Sequence, residues 1–178
     1  MALKSQEIHL IIPVYNPPNG WSKDVLWYYY SLKDHFANFQ FLLCLVDDGS
    51  ISNPFEEFLP DTSENIQFYS HPTNKGKGAA IRTGIQNLDS QFLIYTDYDV
   101  PYSRESAISV LQGIIDNPNA ICAGYRTPEY VGEVPKQRGV ISKLFRIVTH
   151  RWLKVDALDS QCGIKAFGPL GIQYLRST

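Results

Sequence analysis

Asp97-Tyr98-Asp99 sets two carboxylates two positions apart, directly after the apolar run Phe92-Leu93-Ile94-Tyr95-Thr96. In extended chain, residues so spaced point the same way, so both can approach one cation. Hard oxygen ligands suit Mg²⁺ or Mn²⁺, ions that commonly bridge to substrate phosphates. The same residues would also serve as a solvated turn ahead of a helix, because Ser103 and Glu105 follow with capping character. A second acidic pair, Asp47-Asp48, follows Leu42-Leu43-Cys44-Leu45-Val46 and precedes Gly49-Ser50. Adjacent carboxylates at a strand end can accept hydrogen bonds from a base or ribose, while Gly49 permits a tight turn. An ordinary Asp-Gly turn is the alternative.

The stretch Asn74-Lys75-Gly76-Lys77-Gly78-Ala79-Ala80-Ile81-Arg82-Thr83-Gly84 is glycine-rich and basic and leads into a helical pattern. Backbone amides at a helix start, with lysine beside them, favour phosphate. It contains neither the GxxxxGK[ST] of a P-loop nor the GxGxxG of a dinucleotide fold, and a plain loop–helix junction would look similar. Cys162 lies in Asp159-Ser160-Gln161-Cys162-Gly163-Ile164-Lys165; as a nucleophile it would need a base, and only His150 is near in sequence. His9, His35, His71 and His150 form no metal-ligand spacing and read as core or surface histidines.

These residues need elements to hold them. Apolar runs at 8–14, 41–46, 66–70, 92–96 and 120–124 are near-continuous, as expected of parallel strands buried on both faces. Helical patterns occupy 22–39, 78–88 and 105–115, the first with Val25, Leu26, Tyr29, Leu32 and Phe36 on one face. The alternation predicts an α/β fold: a mostly parallel sheet layered by helices on both faces. In such sheets ligands bind beyond the carboxyl ends of the strands, where Tyr15-Asn16, Asp47-Asp48 and Asp97/Asp99 all fall.

Composition bounds the rest. The chain has 178 residues, 44% hydrophobic and 19% charged, which suits one globular domain spanning 1–178. No apolar run approaches the ~18 residues of a membrane span, and the first residues lack a secretory signal core. Three widely spaced cysteines, Cys44, Cys122 and Cys162, read as reduced buried thiols of a cytoplasmic protein. Residues 136–154 carry six basic side chains and no acid, +6 within a chain of net −2, so the remainder carries −8. That segment reads as an amphipathic helix: a solvated face, or one near anionic lipid or an anionic acceptor, as Phe145 and Trp152 favour. Nucleic acid is disfavoured because the acidic remainder would repel it.

In order, Pro13-Val14-Tyr15-Asn16, Val46-Asp47-Asp48-Gly49-Ser50, the lysine–glycine stretch and Thr96-Asp97-Tyr98-Asp99 resemble a family 2 glycosyltransferase of GT-A fold. Gly124-Tyr125-Arg126, Arg138 with Ser142, and residues 159–165 are similar to the polyprenyl-phosphate enzymes, the dolichyl-phosphate β-glucosyltransferase type first and the mannosyltransferase type next. The resemblance covers residues 8–168. It implies an inverting, metal-dependent transfer of a hexose from a nucleoside-diphosphate sugar, UDP-glucose before GDP-mannose, to a polyprenyl phosphate. It also implies a place at the cytoplasmic face of a membrane and a part in glycan or cell-wall assembly. Pro13, Tyr15, Asn16, Asp47, Asp48, Lys77 and Asp97 would bind the nucleotide sugar, and Asp97 and Asp99 would hold the Mg²⁺ or Mn²⁺. Arg126, Arg138 and Ser142 would hold the acceptor phosphate, and Asp99, Arg126, Arg138 and Gln161 would stand at the reacting centre.

Pro101 replaces a glutamine that the mannosyl relatives use as a further metal contact, leaving that contact to water or phosphate. Many members continue further past this region, so the expectation is a short form, a domain truncated at its C-terminal end, or a protein whose membrane anchor lies elsewhere. The alternatives are a saccharide acceptor and a catalytically silent nucleotide-sugar binder. A nucleotidyltransferase ranks lower, since Tyr15-Asn16-Pro17-Pro18-Asn19-Gly20 lacks the arginine expected after the first strand.

Overall fold

The computed structural model describes residues 6–61, 65–125 and 162–177. Six strands form one sheet: β1 Glu7–Val14, β2 Gln40–Asp47, β3 Ile66–Ser70, β4 Phe92–Tyr95, β5 Ile121–Ala123 and β6 Lys165–Phe167. Their order is β3-β2-β1-β4-β6-β5. β1, β2, β3 and β4 pair in parallel, and β6 runs antiparallel to both β4 and β5. Helices α1 Trp21–His35, α2 Lys77–Asn87, α3 Arg104–Asp116 and α4 Pro169–Ser177 cover it, with a 3-10 helix at Pro54–Asp61.

Alternation along β1 makes the layers. Ile8, Leu10, Ile12 and Val14 pack with Val25, Tyr28, Tyr29 and Leu32 of α1 and Ala107, Leu111 and Ile114 of α3. Ile11 points the other way, into a cluster with Ala80 and Ile85 of α2 and Ile172 of α4. A strand with a packed layer on each side can be apolar throughout, which is why β1 and β2 show no polar alternation. β3 and β5 lie at the two edges and are only partly buried, so the expectation of burial on both faces fails there.

Trp27-Tyr28-Tyr29-Tyr30 is a poor helix-forming run, costing about 0.5 kcal/mol per residue against alanine. Full burial of Tyr28 and Tyr29 offsets this, since one large buried side chain contributes ~2 kcal/mol or more. The helix stops at His35, short of the expected 39. Phe36 leaves helical geometry and its buried ring stacks with Phe41 at 6.3 Å. Packing of that ring at the α1–β2 connection prevails over continued helix. The other end of α1 is capped from a distance: the Glu57 carboxylate accepts from the amides of Gly20 (2.8 Å) and Ser22 (3.3 Å) and from the Ser22 hydroxyl (2.7 Å).

Candidate active site

The register brings the sequence-predicted acids to one rim. Val14 pairs with Asp47 and Ile11 with Tyr95, so β2 ends level with the last residue of β1 and β4 ends three residues earlier, both at the carboxyl edge of the sheet. The turns beyond β1 and β2 are laced together. The Asn16 amide donates to Ser50 Oγ (2.8 Å), and Asn16 Oδ1 accepts from the Ile51 amide (2.9 Å). Asn16 takes a left-handed φ of 44°, tolerable for an asparagine. Tyr15 is 45% exposed at the end of β1, an accessible aromatic surface on the rim.

Asp47 Oδ1 accepts from the Ser50 amide (3.0 Å), closing the turn after β2. Gly49 is required there twice over: its φ is +77°, and a Cβ would stand 2.5 Å from the Thr73 carbonyl carbon. Asp48 is only 2% exposed and both its oxygens are occupied. Oδ1 accepts from the Lys75 amide (2.9 Å) and contacts His71 Nδ1 (2.7 Å); Oδ2 accepts from the Gly76 amide (2.7 Å). Burial would raise this carboxyl's pKa, but the Lys75, His71 and Gly76 hydrogen bonds together hold it below its usual range. His71 Nε2 meets Thr83 Oγ1 of α2 at 2.8 Å, so a single imidazole ties the Asp48 turn to that helix. The sequence reading directs the Asp48 carboxylate toward a base or ribose, whereas in the fold it holds the 71–76 loop.

That loop reaches the second acid cluster. Gly76 binds Asp48 through its amide, and the next residue, Lys77, donates from Nζ to Asp97 Oδ1 at 2.5 Å. Three consecutive residues, Lys75-Gly76-Lys77, therefore connect the acids beyond β2 with those beyond β4. Lys77 and Lys165 both lie over the Tyr95 ring, at 5.9 and 5.7 Å from its centroid, and Lys165 donates to the Tyr95 hydroxyl at 3.1 Å.

β4 ends at Tyr95, and Asp97 begins a turn closed by the Val100 amide donating to the Asp97 carbonyl (3.1 Å). The Asp97-Tyr98-Asp99 motif is therefore a tight turn rather than the extended segment expected from its spacing. Val100 carries φ 42°, a left-handed value disfavoured for a β-branched residue. Asp97 Oδ2 faces Gly163, where a Cβ would stand 2.8 Å from it and 2.9 Å from the Tyr102 hydroxyl. That hydroxyl accepts from the Gly163 amide at 2.7 Å and also hydrogen-bonds the Cys162 thiol. Burial and the Cys162 contact raise the Tyr102 pKa, so the phenol stays protonated. Asp99 is exposed on the rim of a ~470 Å³ cleft between α1 and α3, shared with Trp27, Tyr28 and Arg104.

Arg126, Arg138, Ser142 and Gln161, the basic segment and His150 lie outside the described residues. Of the sequence-predicted donor-side residues, Asn16, Asp47, Asp48, Lys77 and Asp97 join one connected set of contacts. Pro13 is within β1, paired with Val46. Sequence reasoning does not single out His71, Tyr102 and Glu57, because their partners lie 12 to 61 residues away. All three cysteines are free; Cys44 and Cys162 are buried and Cys122 half-buried. Burial pushes the Cys44 thiol up to about 12.

The carboxylate oxygens of Asp97, which bears the Lys77 ammonium, and of the exposed Asp99 have the donor chemistry that a hard divalent cation takes. No group of three or more His, Cys, Asp or Glu side chains among the described residues could hold a metal. A cation on Asp97 and Asp99 would thus take its remaining ligands from water and phosphate oxygen.

The family model for glycosyl transferase family 2 matches residues 9–167. Glycosyltransferase AglD of Haloferax volcanii is 23% identical over 96% of this chain and 28% of its own length. A dolichyl-phosphate beta-glucosyltransferase of Trichomonas vaginalis is 27% identical over 90% of this chain and 53% of its own. The chain thus spans about half or less of the length of these curated relatives. Mannosyl-3-phosphoglycerate synthase from Rubrobacter xylanophilus shares the fold with a TM-score of 0.65 and 18% identity, over 92% of this chain and 54% of that one. Glucosyl-3-phosphoglycerate synthase from Mycobacterium tuberculosis, crystallised with Mn²⁺, uridine diphosphate and phosphoglyceric acid, aligns with a TM-score of 0.60 and 16% identity, over 92% and 56%. The six-stranded, mostly parallel sheet with helices on both faces is the GT-A fold.

Proposed function

The chain belongs to glycosyl transferase family 2, and from that premise we propose that residues 1–178 hold a catalytic domain that moves a hexose from a nucleoside-diphosphate sugar to a polyprenyl phosphate. The observation that carries the donor half is the bridge of Lys75-Gly76-Lys77 between Asp48 and Asp97. It makes one site of two acid clusters, with a helix start and a lysine where a diphosphate would lie. Tyr15 offers its exposed ring to the base, and the Asn16–Ser50 lacing sets the floor beneath the ribose. Asp97 and Asp99 are the residues to hold Mg²⁺ or Mn²⁺, which when bound would neutralise charge on the departing diphosphate.

The acceptor half follows the resemblance to the polyprenyl-phosphate enzymes and the similarity to a dolichyl-phosphate glucosyltransferase. Arg126, Arg138 and Ser142 would grip the acceptor phosphate, arginine bidentately, and Gln161 would line the sugar. An acceptor phosphate oxygen attacks the anomeric carbon from the face opposite the diphosphate. The new carbon–oxygen bond forms as the bond to the diphosphate oxygen breaks, and the configuration inverts. A phosphate monoester is already ionised near neutral pH, so no general base is required. Among the described residues no helix is long and apolar enough to cross a membrane; access to a lipid acceptor would come from a peripheral position at the cytoplasmic membrane face.

The test is transfer of radiolabelled sugar from UDP-glucose and from GDP-mannose to a short polyprenyl phosphate, with Mn²⁺ and with chelator. Metal-dependent glucosyl lipid is expected, and its loss in Arg138→Ala with UDP affinity retained. Label passing to a free saccharide but not to lipid would replace the acceptor. Absence of any product would leave only a nucleotide-sugar binder.

A further inference from the structure

We propose that Lys77 is a resident counter-cation on Asp97, displaced when a divalent cation arrives and thereby coupling metal binding to diphosphate binding. This rests on the reading of the rim as a nucleotide-sugar site. The Lys77 ammonium donates to Oδ1 of Asp97 at 2.5 Å. A dication taking that oxygen would stand within a few ångströms of the ammonium, and two positive charges at such separation repel. Lys77 must then move. Both side chains are partly exposed, 44% and 37%, so the exchange disturbs no packed core. Lysine is suited to it, as a point charge on a flexible four-carbon stem.

The position of Lys77 fixes where the freed charge is useful. It is the first residue of α2, whose first turn holds no acid and whose N-cap, Gly76, offers no side-chain cap. The helix start is positive, an unfavourable place for an unpaired ammonium. Asp97 relieves that charge in the free protein, and a diphosphate would relieve it once the cation has claimed Asp97. Cation alone must compete with Lys77, whereas cation and diphosphate together leave every charge paired. Metal and nucleotide therefore each raise the other's affinity.

Mn²⁺ titration followed by electron paramagnetic resonance of the free ion, with and without UDP, tests this on wild type, Lys77→Gln and Lys77→Arg. Lys77→Gln should bind Mn²⁺ alone about two- to fivefold more tightly, the range of an exposed ion pair, and UDP should enhance that binding less than in wild type. Lys77→Arg, which keeps the charge, should behave as wild type does. The proposal is overturned if Lys77→Gln binds Mn²⁺ alone no more tightly, or if its enhancement by UDP is undiminished. Wild-type Mn²⁺ binding that Asp97→Asn abolishes but Lys77→Gln leaves unchanged would remove the coupling and spare the site. No Mn²⁺ binding to wild type under either condition would remove both.

Discussion

Asp48→Asn keeps the shape of a buried side chain and removes its charge. Asp48 meets hydrogen-bonding groups on both oxygens: the Lys75 amide and His71 Nδ1 on one, the Gly76 amide on the other. An asparagine NH₂ turned toward Gly76 opposes that amide, and turned the other way it opposes the Lys75 amide. One amide loses its acceptor in either orientation, at a part-buried contact. Hydrogen bonds to a charged group contribute about 1.5–3 kcal/mol. A loss of about 3 kcal/mol is therefore expected, a fall of roughly 6–12 °C in Tm for a chain of this size. Asp47→Asn is the control, because Asp47 Oδ1 accepts one amide, that of Ser50, and the cost should stay near 1 kcal/mol. The depressed Asp48 carboxyl stabilises the fold above the usual carboxylate range, a contribution lost as pH falls through its folded value. Asp48→Asn should accordingly lose less stability on acidification than wild type. Thermal unfolding followed by circular dichroism at neutral and acidic pH reads both effects. An Asp48→Asn midpoint within 1–2 °C of wild type, or no lower than that of Asp47→Asn, would refute the role given to this carboxylate.

Burial lowers the His9 pKa to about 4, so the unfolded chain binds a proton more readily and stability is lost as pH falls below the ordinary histidine value. The loss should reach about 2 kcal/mol by pH 5; denaturant melts at pH 7.5 and 5 should show a smaller decline in His9→Phe. Glu57→Ala removes the remote cap of α1 and should cost ~1 kcal/mol, seen as a lower urea midpoint with unchanged slope. Gly163→Ala pushes a methyl group against Asp97 Oδ2 and the Tyr102 hydroxyl; overpacking of this kind costs about 1–3 kcal/mol. Calorimetric UDP affinity with Mn²⁺ should fall roughly tenfold or more, and wild-type affinity in that variant would show that the Asp97 face is not used.

The layered sheet is legible in the sequence because β1, β2 and β4 are apolar enough to require cover on both faces. Their parallel pairing then carries every following polar residue to one edge. Lys165-Ala166-Phe167 escapes detection: three residues hold no period, and the strand exists because β4 and β5 flank it. The helix Pro169–Ser177 and the 3-10 helix at Pro54–Asp61 likewise escape the sequence patterns. At the site, residue types mark the place but not the division of labour. Asp48 looks as available as Asp97 in sequence, and only a loop 27 residues on shows that its oxygens are spent on Lys75 and Gly76. The turn at Asp97 is illegible for a similar reason, since it depends on the Val100 amide closing back onto the Asp97 carbonyl.

The central claim is that acids beyond β2 and β4 form one donor site through a divalent cation. Isothermal titration of UDP into wild type and Asp97→Asn, each with Mn²⁺ and with chelator, addresses it most directly. Tight binding in wild type with Mn²⁺ alone, weakened at least tenfold by chelator or by Asp97→Asn, is the expected result. UDP binding of equal strength in all four titrations, or in none, would contradict it.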